Sequence, residues 1–535
     1  MQLPMKLGIA GGVMFSLSVF FFMIAFPKIL KSVIHKKSSL YPGSEIRELW
    51  SDLPIPIDFK IYMFNITNAE DIEKGAYPHV KEVGPFFYDE WKKKVNLIDH
   101  EEDDTLEYNM KNWWVFNPSK SNGLTGEEEI IFPHVLILGM VMGTLREKPS
   151  AIGIVGKAIN SIFHNPKSIF IKVKVKDLLF DGLPIDCTVT DFAGSAVCSI
   201  LKEQGEDDLI KEGEGRYRFS FFGAKNYSTY KESLRVYRGI KNPDDVGVVT
   251  HYGGKPEMTI WRGPECNKYE GTDSTIFHSY FYADEDLVSF APDLCRSLGI
   301  ESQGKSKYEG IKTNRYAGGL GDTSSDPKLK CFCETDDTCL KQGLYDLTRC
   351  VGAPIVASLP HLYDVHEMYL KNVTGISPNK NDHELFVDFE PITGTPVSGR
   401  KRLQFNMFIQ PVDKIKLMKN FPYSLLPLMW VEEGLALEGD FLKQFKAVFR
   451  VFKIIAAIKW ILFFAGLGLG GTAGYLQYKQ KKANSMEVTK VTKSAGSKGS
   501  TTVSALGGEG GEEKKQWPLN VQTLQSVNSP PNVER

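Results

Sequence analysis

The chain has 535 residues, 42% of them hydrophobic, and its 64 basic residues are matched by 65 acidic ones. That is enough length for a large core. The balance of charge argues against nucleic acid as a partner, since phosphate binding needs a basic excess on some face.

Residues 7–26 are an uncharged run of about the twenty residues that a helix needs to cross a hydrocarbon core. A cleaved signal peptide is the alternative. The run is longer than a signal h-region of about 7–15 residues, and no small-x-small cleavage site follows before Pro27-Lys28. We therefore expect an uncleaved membrane helix over 7–27, preceded by a short tail, 1–6.

Alternation of period two then marks strands at Ile57, Phe59, Ile61 and Met63, and at Ile169, Ile171, Val173 and Val175. It recurs at Tyr217, Phe219 and Phe221, and at Leu403, Phe405, Met407 and Ile409. Many strands with one apolar face suggest a curled sheet or barrel. Residues 133–164 break the pattern with two apolar segments around a charged turn, Glu147-Lys148-Pro149. In the second segment Ile152, Val155, Ile159 and Ile162 recur at helical spacing, which predicts a helical hairpin packed on the sheet. Its plain role is core packing. Its functional role would be an apolar surface left partly open for an oily ligand, with Leu136, Gly139, Ile152, Val155 and Ile159 as entrance candidates.

Four of the eight cysteines, Cys331, Cys333, Cys339 and Cys350, crowd into a polar, turn-prone stretch, and Cys266 and Cys295 lie upstream. So dense and even a set is expected as a disulfide framework made in the secretory pathway. Zinc is the rival reading, but structural sites pair ligands as C-x2-4-C, whereas one residue separates Cys331 from Cys333 and no second knuckle follows. Neighbours that close bond each other poorly, so each reaches a different partner, and the connectivity stays open. Residues 28–453 contain no Gly/Ser-rich or Pro-rich linker and are expected to form one ectodomain.

A second membrane span is expected over 454–478, where Lys459 can snorkel to the interface. Gly8/Gly12, Gly466/Gly470 and Gly470/Gly474 have the spacing of small-residue helix contacts, with lipid-facing glycine as the alternative. The lysines after the first span would place the middle of the chain inside the cell. Against that stand the cysteines and three sequons, Asn65, Asn226 and Asn372, all between the spans; oxidation and glycosylation both require the lumen. Both termini are therefore expected in the cytoplasm. The Ser/Thr/Gly/Glu/Lys-rich tail, 479–535, is expected to be disordered. No G-x-S-x-G elbow, P-loop or H-E-x-x-H helix is present, so we expect no enzyme, cofactor or metal. His361 and His366 are expected to be structural, and the acidic run 100–104 a solvated loop with calcium binding as the alternative.

Six stretches carry a family resemblance: FKIYMFNITNAEDIEKG (59–75), VGPFFYDEW (83–91), EGTDSTIF (270–277), DLCRSL (293–298), ASLPH (357–361) and FEPITGTPVSGRKRLQFN (389–406). With two terminal spans around a glycosylated, disulfide-bonded loop, the chain resembles the class B scavenger receptor family, which includes the fatty-acid translocase and the lysosomal integral membrane proteins. NGLTGEEEIIFPH (122–134), GKAINSIF (156–163), YEGIKTNRY (308–316) and the extra Cys187 and Cys198 are similar to the insect sensory neuron membrane proteins, particularly the first type.

The resemblance implies an α+β architecture: a large antiparallel β-barrel-like ectodomain with a helical apex and internal tunnel, anchored by two terminal transmembrane helices. It implies the disulfides Cys266–Cys331, Cys295–Cys350 and Cys333–Cys339. We add Cys187–Cys198, since both lie on the lumenal side and would otherwise be free thiols. Lys167 is the nearest match to an apex lysine that serves ligand capture in the translocase; otherwise it is a surface lysine. The implied function is an olfactory co-factor in the plasma membrane of sensory dendritic cilia. It would capture long-chain hydrophobic ligands, pheromones or fatty acids, and pass them toward an odorant receptor complex, with odorant-binding proteins as a further partner. The alternative is a general scavenger or adhesion receptor that binds lipoprotein or protein ligands on its apex surface.

Overall fold

Strands with one apolar face need a second surface to cover it, and this chain solves the problem by curling its sheet. The computed structural model describes residues 3–205 and 208–495. Its main sheet follows β1 (Ile57–Ile66), β2 (Val80–His100), β3 (Thr105–Phe116), β4 (Thr229–Tyr237), β5 (Val249–Tyr252) and β6 (Leu287–Ala291). It continues through β7 (Arg296–Tyr308), β8 (Ile311–Gly318), β9 (Leu385–Glu390), β10 (Thr395–Ile409) and β11 (Ser424–Ala436). In space the order is β5-β4-β3-β2-β1-β11-β10-β9-β8-β7-β6. Within this set successive strands pair, except β5 with β6, and β1 also pairs with β11; all these pairings are antiparallel, and Tyr345–Asp346 and Val356–Ser358 join the same sheet beside β10.

The two edges, β5 and β6, are consecutive in sequence, and the loop between them closes the ring. Val249 N–H donates to Gly271 O at 3.0 Å, and Phe290 N–H donates to Thr272 O at 2.8 Å. Gly271 has φ +75, and a Cβ there would lie 2.0 Å from Val288 O, so only glycine fits this seam. Edge strands left open would invite foreign pairing.

Residues directly opposite in a ladder share a face. Phe59 lies opposite Tyr88 on one side and Glu433 on the other, and Glu433 opposite Lys401. The face carrying Phe59, Ile61 and Met63 points inward, where they join the main core.

Two helices cap this core. In α1 (Val135–Glu147), Ile137, Leu138 and Val141 are buried; in α2 (Ile152–Ile162), Ile152, Val155 and Ile159 are. All pack in the same cluster as Phe59. The break between them falls at Lys148, which leaves helical geometry (φ −144, ψ 72) because the ring of Pro149 disfavours it there. A third helix, α3 (Phe192–Gly205), packs against α2. Four disulfides join Cys187–Cys198, Cys266–Cys331, Cys295–Cys350 and Cys333–Cys339.

Among the described residues, two helices are long and apolar enough to cross a membrane, Leu3–Ser38 and Gly439–Val488. Both outrun the expected spans, 7–27 and 454–478, because helical hydrogen bonding continues where apolarity stops. The tail expected to be disordered from residue 479 is likewise still helical to Ala495, as no Gly or Pro interrupts 479–495; 496–535 lie outside the described residues. The chain divides into two compact units, Met1–Ser18 with Trp460–Arg535, and Val19–Lys459. In the first, a Cβ on Gly11 would lie 2.7 Å from Gly470 N and one on Gly466 2.8 Å from Phe15 N, while Gly12 faces open space. Glycine thus lets the two helices approach at Gly11 and Gly466, and the Phe15 and Phe463 rings meet at a tilt of 42°, 5.1 Å apart.

Candidate functional site

The inward face of β2 reads Phe86, Tyr88, Glu90, Lys92, Lys94, so an apolar stripe runs into charge. On β3, Trp114 stands opposite Glu90, Asn112 opposite Lys92 and Met110 opposite Lys94. Lys92 Nζ lies 2.9 Å from Glu433 Oε2 and 3.5 Å from Glu90 Oε1. Burial pushes the Glu90 carboxyl up to about 7 against the pull of Lys92. Burial acts on Glu433 in the same sense, but the Lys92 and Lys401 ammonium groups overcome it and hold that carboxyl down to about 2. The shorter contact is thus the ion pair, and Lys92 is held above its ordinary value. Burial lowers Lys94 to about 8, although Asp273 opposes this; its Nζ donates to Trp50 O at 2.9 Å and Thr275 Oγ1 at 3.1 Å.

Lys92 and Glu433 are partly buried, with 23% and 27% of their side-chain surface open to water. Both lie on the inward face of the curled sheet, in a belt of charge. Beside it stands an aromatic wall: Trp114 lies 6.0 Å from Phe59, 5.4 Å from Phe222 and 6.4 Å from Phe180, ring centre to ring centre, and Tyr88 lies 4.8 Å from Phe180. The arrangement can hold an alkyl chain by burial and a polar group by hydrogen bonding. It offers no nucleophile–base pair.

The entrance candidates separate. Ile152, Val155 and Ile159 are core residues. Leu136 is half-buried against the cluster containing Cys198. A Cβ on Gly139 would meet nothing within 4 Å, and Ile154 is exposed. Lys167 is exposed in the loop after α2. At the sequons, Asn65 Oδ1 accepts from Ile131 N–H at 2.8 Å and Asn226 Oδ1 from Trp114 N–H at 3.0 Å. Asn372 Nδ2 donates to Tyr423 O at 3.1 Å. The acidic run is tied into the fold, with Asp103 paired to Arg235 and Asp104 to Arg238.

Two groups escape a reading by spacing. The inward charges of β2 have alternation as their only signal, which does not say which side is wet. The second group surrounds His361. Its Nδ1 accepts from Ser377 N–H at 3.0 Å, so Nε2 carries the proton and donates to Glu82 Oε2 at 2.7 Å. Trp430 Nε1 donates to the same oxygen at 2.6 Å, and His383 stacks on His361 at 4.5 Å. His366, five residues on, merely caps a short turn by accepting from Met368 N–H.

Comparison with known proteins agrees with this architecture. The CD36 family model matches residues 9–477. The chain is 50% identical over 533 residues to Sensory neuron membrane protein 1 of Apis mellifera, covering 99% of each chain. It is 46% identical over 475 residues to the protein of that name from Ostrinia furnacalis, covering 88% of this chain and 89% of that one. With the Manduca sexta protein it shares 45% identity over 471 residues, 87% of this chain and 90% of that one. A curled antiparallel barrel between two terminal apolar helices, matched over nearly its whole length, belongs to the CD36 family.

Proposed function

We propose that this is a two-pass sensory membrane receptor that takes hydrophobic, fatty-acid-derived pheromones into its barrel and passes them toward an odorant receptor. The observation that carries the reading is the inward face of the curled sheet, where aromatic rings adjoin charged side chains that stay partly accessible. Burying each methylene gains about 0.8 kcal/mol, so a twelve-carbon chain gains roughly 9 kcal/mol before ordering costs. Release then requires that few polar anchors hold the ligand. The relatives' printed names support the sensory and membrane parts.

The oxidised cysteines and the sequons support an extracellular barrel with cytoplasmic termini, and the relatives' sensory-neuron names support a place in the dendritic cilia of olfactory neurons. We place the entrance at the α1–α2 hairpin, with Gly139 on its open side, Ile152, Val155 and Ile159 beneath, and Lys167 as the capture residue. Exposed Lys148, Lys157 and Lys167 favour one second reading, capture of an anionic ligand on the outer surface.

The test is binding of a fluorescent long-chain acetate to the full-length protein in nanodiscs, with Gly139→Trp alongside. A Cβ at that position meets nothing within 4 Å, so the fold is expected to survive, as thermal unfolding will check. Saturable binding that the substitution weakens supports uptake through the hairpin. No binding at any chain length moves the function to the surface.

A further inference from the structure

Folded proteins rarely leave buried polar atoms without a hydrogen bond. Among the described residues, three such atoms belong to neighbouring ladder positions: Glu90 Oε2, Asn112 Oδ1 and Trp114 Nε1. Glu90 is 2% exposed, and Asn112 and Trp114 are 7% exposed. They occupy neighbouring inward positions of β2 and β3, with Glu90 directly opposite Trp114 and Asn112 opposite Lys92. Residues carrying two unpartnered acceptors and one unpartnered donor thus occupy adjacent ladder positions at the boundary between the aromatic wall and the charged belt.

We propose that Glu90, Asn112 and Trp114 form a head-group site for a neutral long-chain amphiphile bearing a hydroxyl, its chain lying along Phe59, Phe180 and Phe222. The inference rests on the lipid-binding reading of the interior and adds the polar group that the site selects. A hydroxyl matches both halves of the set, donating to Glu90 or Asn112 and accepting from the Trp114 N–H. An alkane offers neither. An acetate or aldehyde only accepts, so it leaves both acceptors unmatched. A carboxylate would bring negative charge beside Glu90 and Glu433, while Lys92 is already paired to Glu433 at 2.9 Å.

The test displaces a fluorescent alkyl probe from the full-length protein in nanodiscs with dodecanol, dodecyl acetate, dodecanoate and dodecane, corrected for partition into lipid. It compares wild type with Trp114→Phe, which keeps the ring and loses the donor, and with Asn112→Leu. Dodecanol is expected to bind at least about tenfold more tightly than dodecane in wild type, with acetate and carboxylate between or below. The ratio is expected to fall several-fold in Trp114→Phe. Equal affinity for alcohol and alkane in wild type, or a ratio unchanged in Trp114→Phe, overturns the head-group site and leaves alkyl binding standing. Failure of every probe to bind overturns both. Where Asn112→Leu does not fold, the wild-type ratio and Trp114→Phe decide.

Discussion

Two carboxylates on the inward face, Glu90 and Glu433, depend chiefly on one counter-ion, so Lys92→Met is a severe perturbation despite its conserved bulk. Lys92 Nζ sits 2.9 Å from Glu433 and 3.5 Å from Glu90, and the substitution removes the charge while keeping most of the stem. Breaking a buried pair by deleting one partner costs about 3–5 kcal/mol. Lys401, opposite Glu433, and the partial access of water place this case near the lower end, at about 3 kcal/mol.

The pH dependence fixes the sign. In wild type the Glu433 carboxyl is held down to about 2, so its stabilisation is present above the ordinary value of 4.5 and is lost as pH falls toward 2. In the variant that carboxyl moves upward. The deficit is therefore largest near neutral pH and narrows on acidification, first as the variant's carboxyl protonates and then as wild type loses its own. Thermal unfolding of the purified full-length protein across this range measures it, and Lys92→Met/Glu433→Met should recover most of the loss. An unchanged unfolding temperature for the single variant, or a double variant no better than the single, would refute an enclosed ion pair.

Gly271→Ala puts a Cβ 2.0 Å from Val288 O at a left-handed position, so we expect a loss of about 2–5 kcal/mol and retention of immature glycans in cells; normal unfolding and maturation would remove the seam from the account. Arg146 joins α1 to the disulfide-rich segment through Glu334 at 2.9 Å and Asp346 at 2.6 Å. After discounting for solvent, Arg146→Ala should cost about 1–2 kcal/mol and speed hydrogen exchange in α1, and unchanged exchange there would count against the clamp. Burial lowers His134 and His383 to about 4 from 6.5, so the unfolded chain takes up their protons first. Each histidine then lowers stability below about pH 6.5, by up to ~1.4 kcal/mol per pH unit until its folded value is reached. His383→Phe should reduce that slope, and an identical slope would contradict a neutral buried imidazole.

Alternation makes β1 and β10 legible, because Phe59, Ile61 and Met63, and Leu403 and Phe405, are apolar and fall on one face. The same rule cannot see that Glu90, Lys92 and Lys94 share that kind of face. Charge at every second position reads as solvent-facing, and only closure of the sheet turns it inward. Closure itself uses backbone hydrogen bonds around 271–273, which leave no side-chain signature apart from Gly271. The hairpin is legible from the spacing of Ile152, Val155, Ile159 and Ile162, but its core role is not separable from an open one until its neighbours are known. Hydropathy marks where the terminal helices are apolar, not where they end, since the backbone ladder continues past Lys28 and Lys479.

The central claim is that alkyl ligands occupy the interior of the barrel. The most direct measurement is photocrosslinking of a diazirine-bearing long-chain alcohol to the full-length protein in nanodiscs, with labelled residues mapped by mass spectrometry. The account predicts label on inward residues such as Phe59, Tyr88 and Trp114, competed away by unlabelled alcohol. Competable label confined to the exposed surface around Lys148, Lys157 and Lys167 would contradict it.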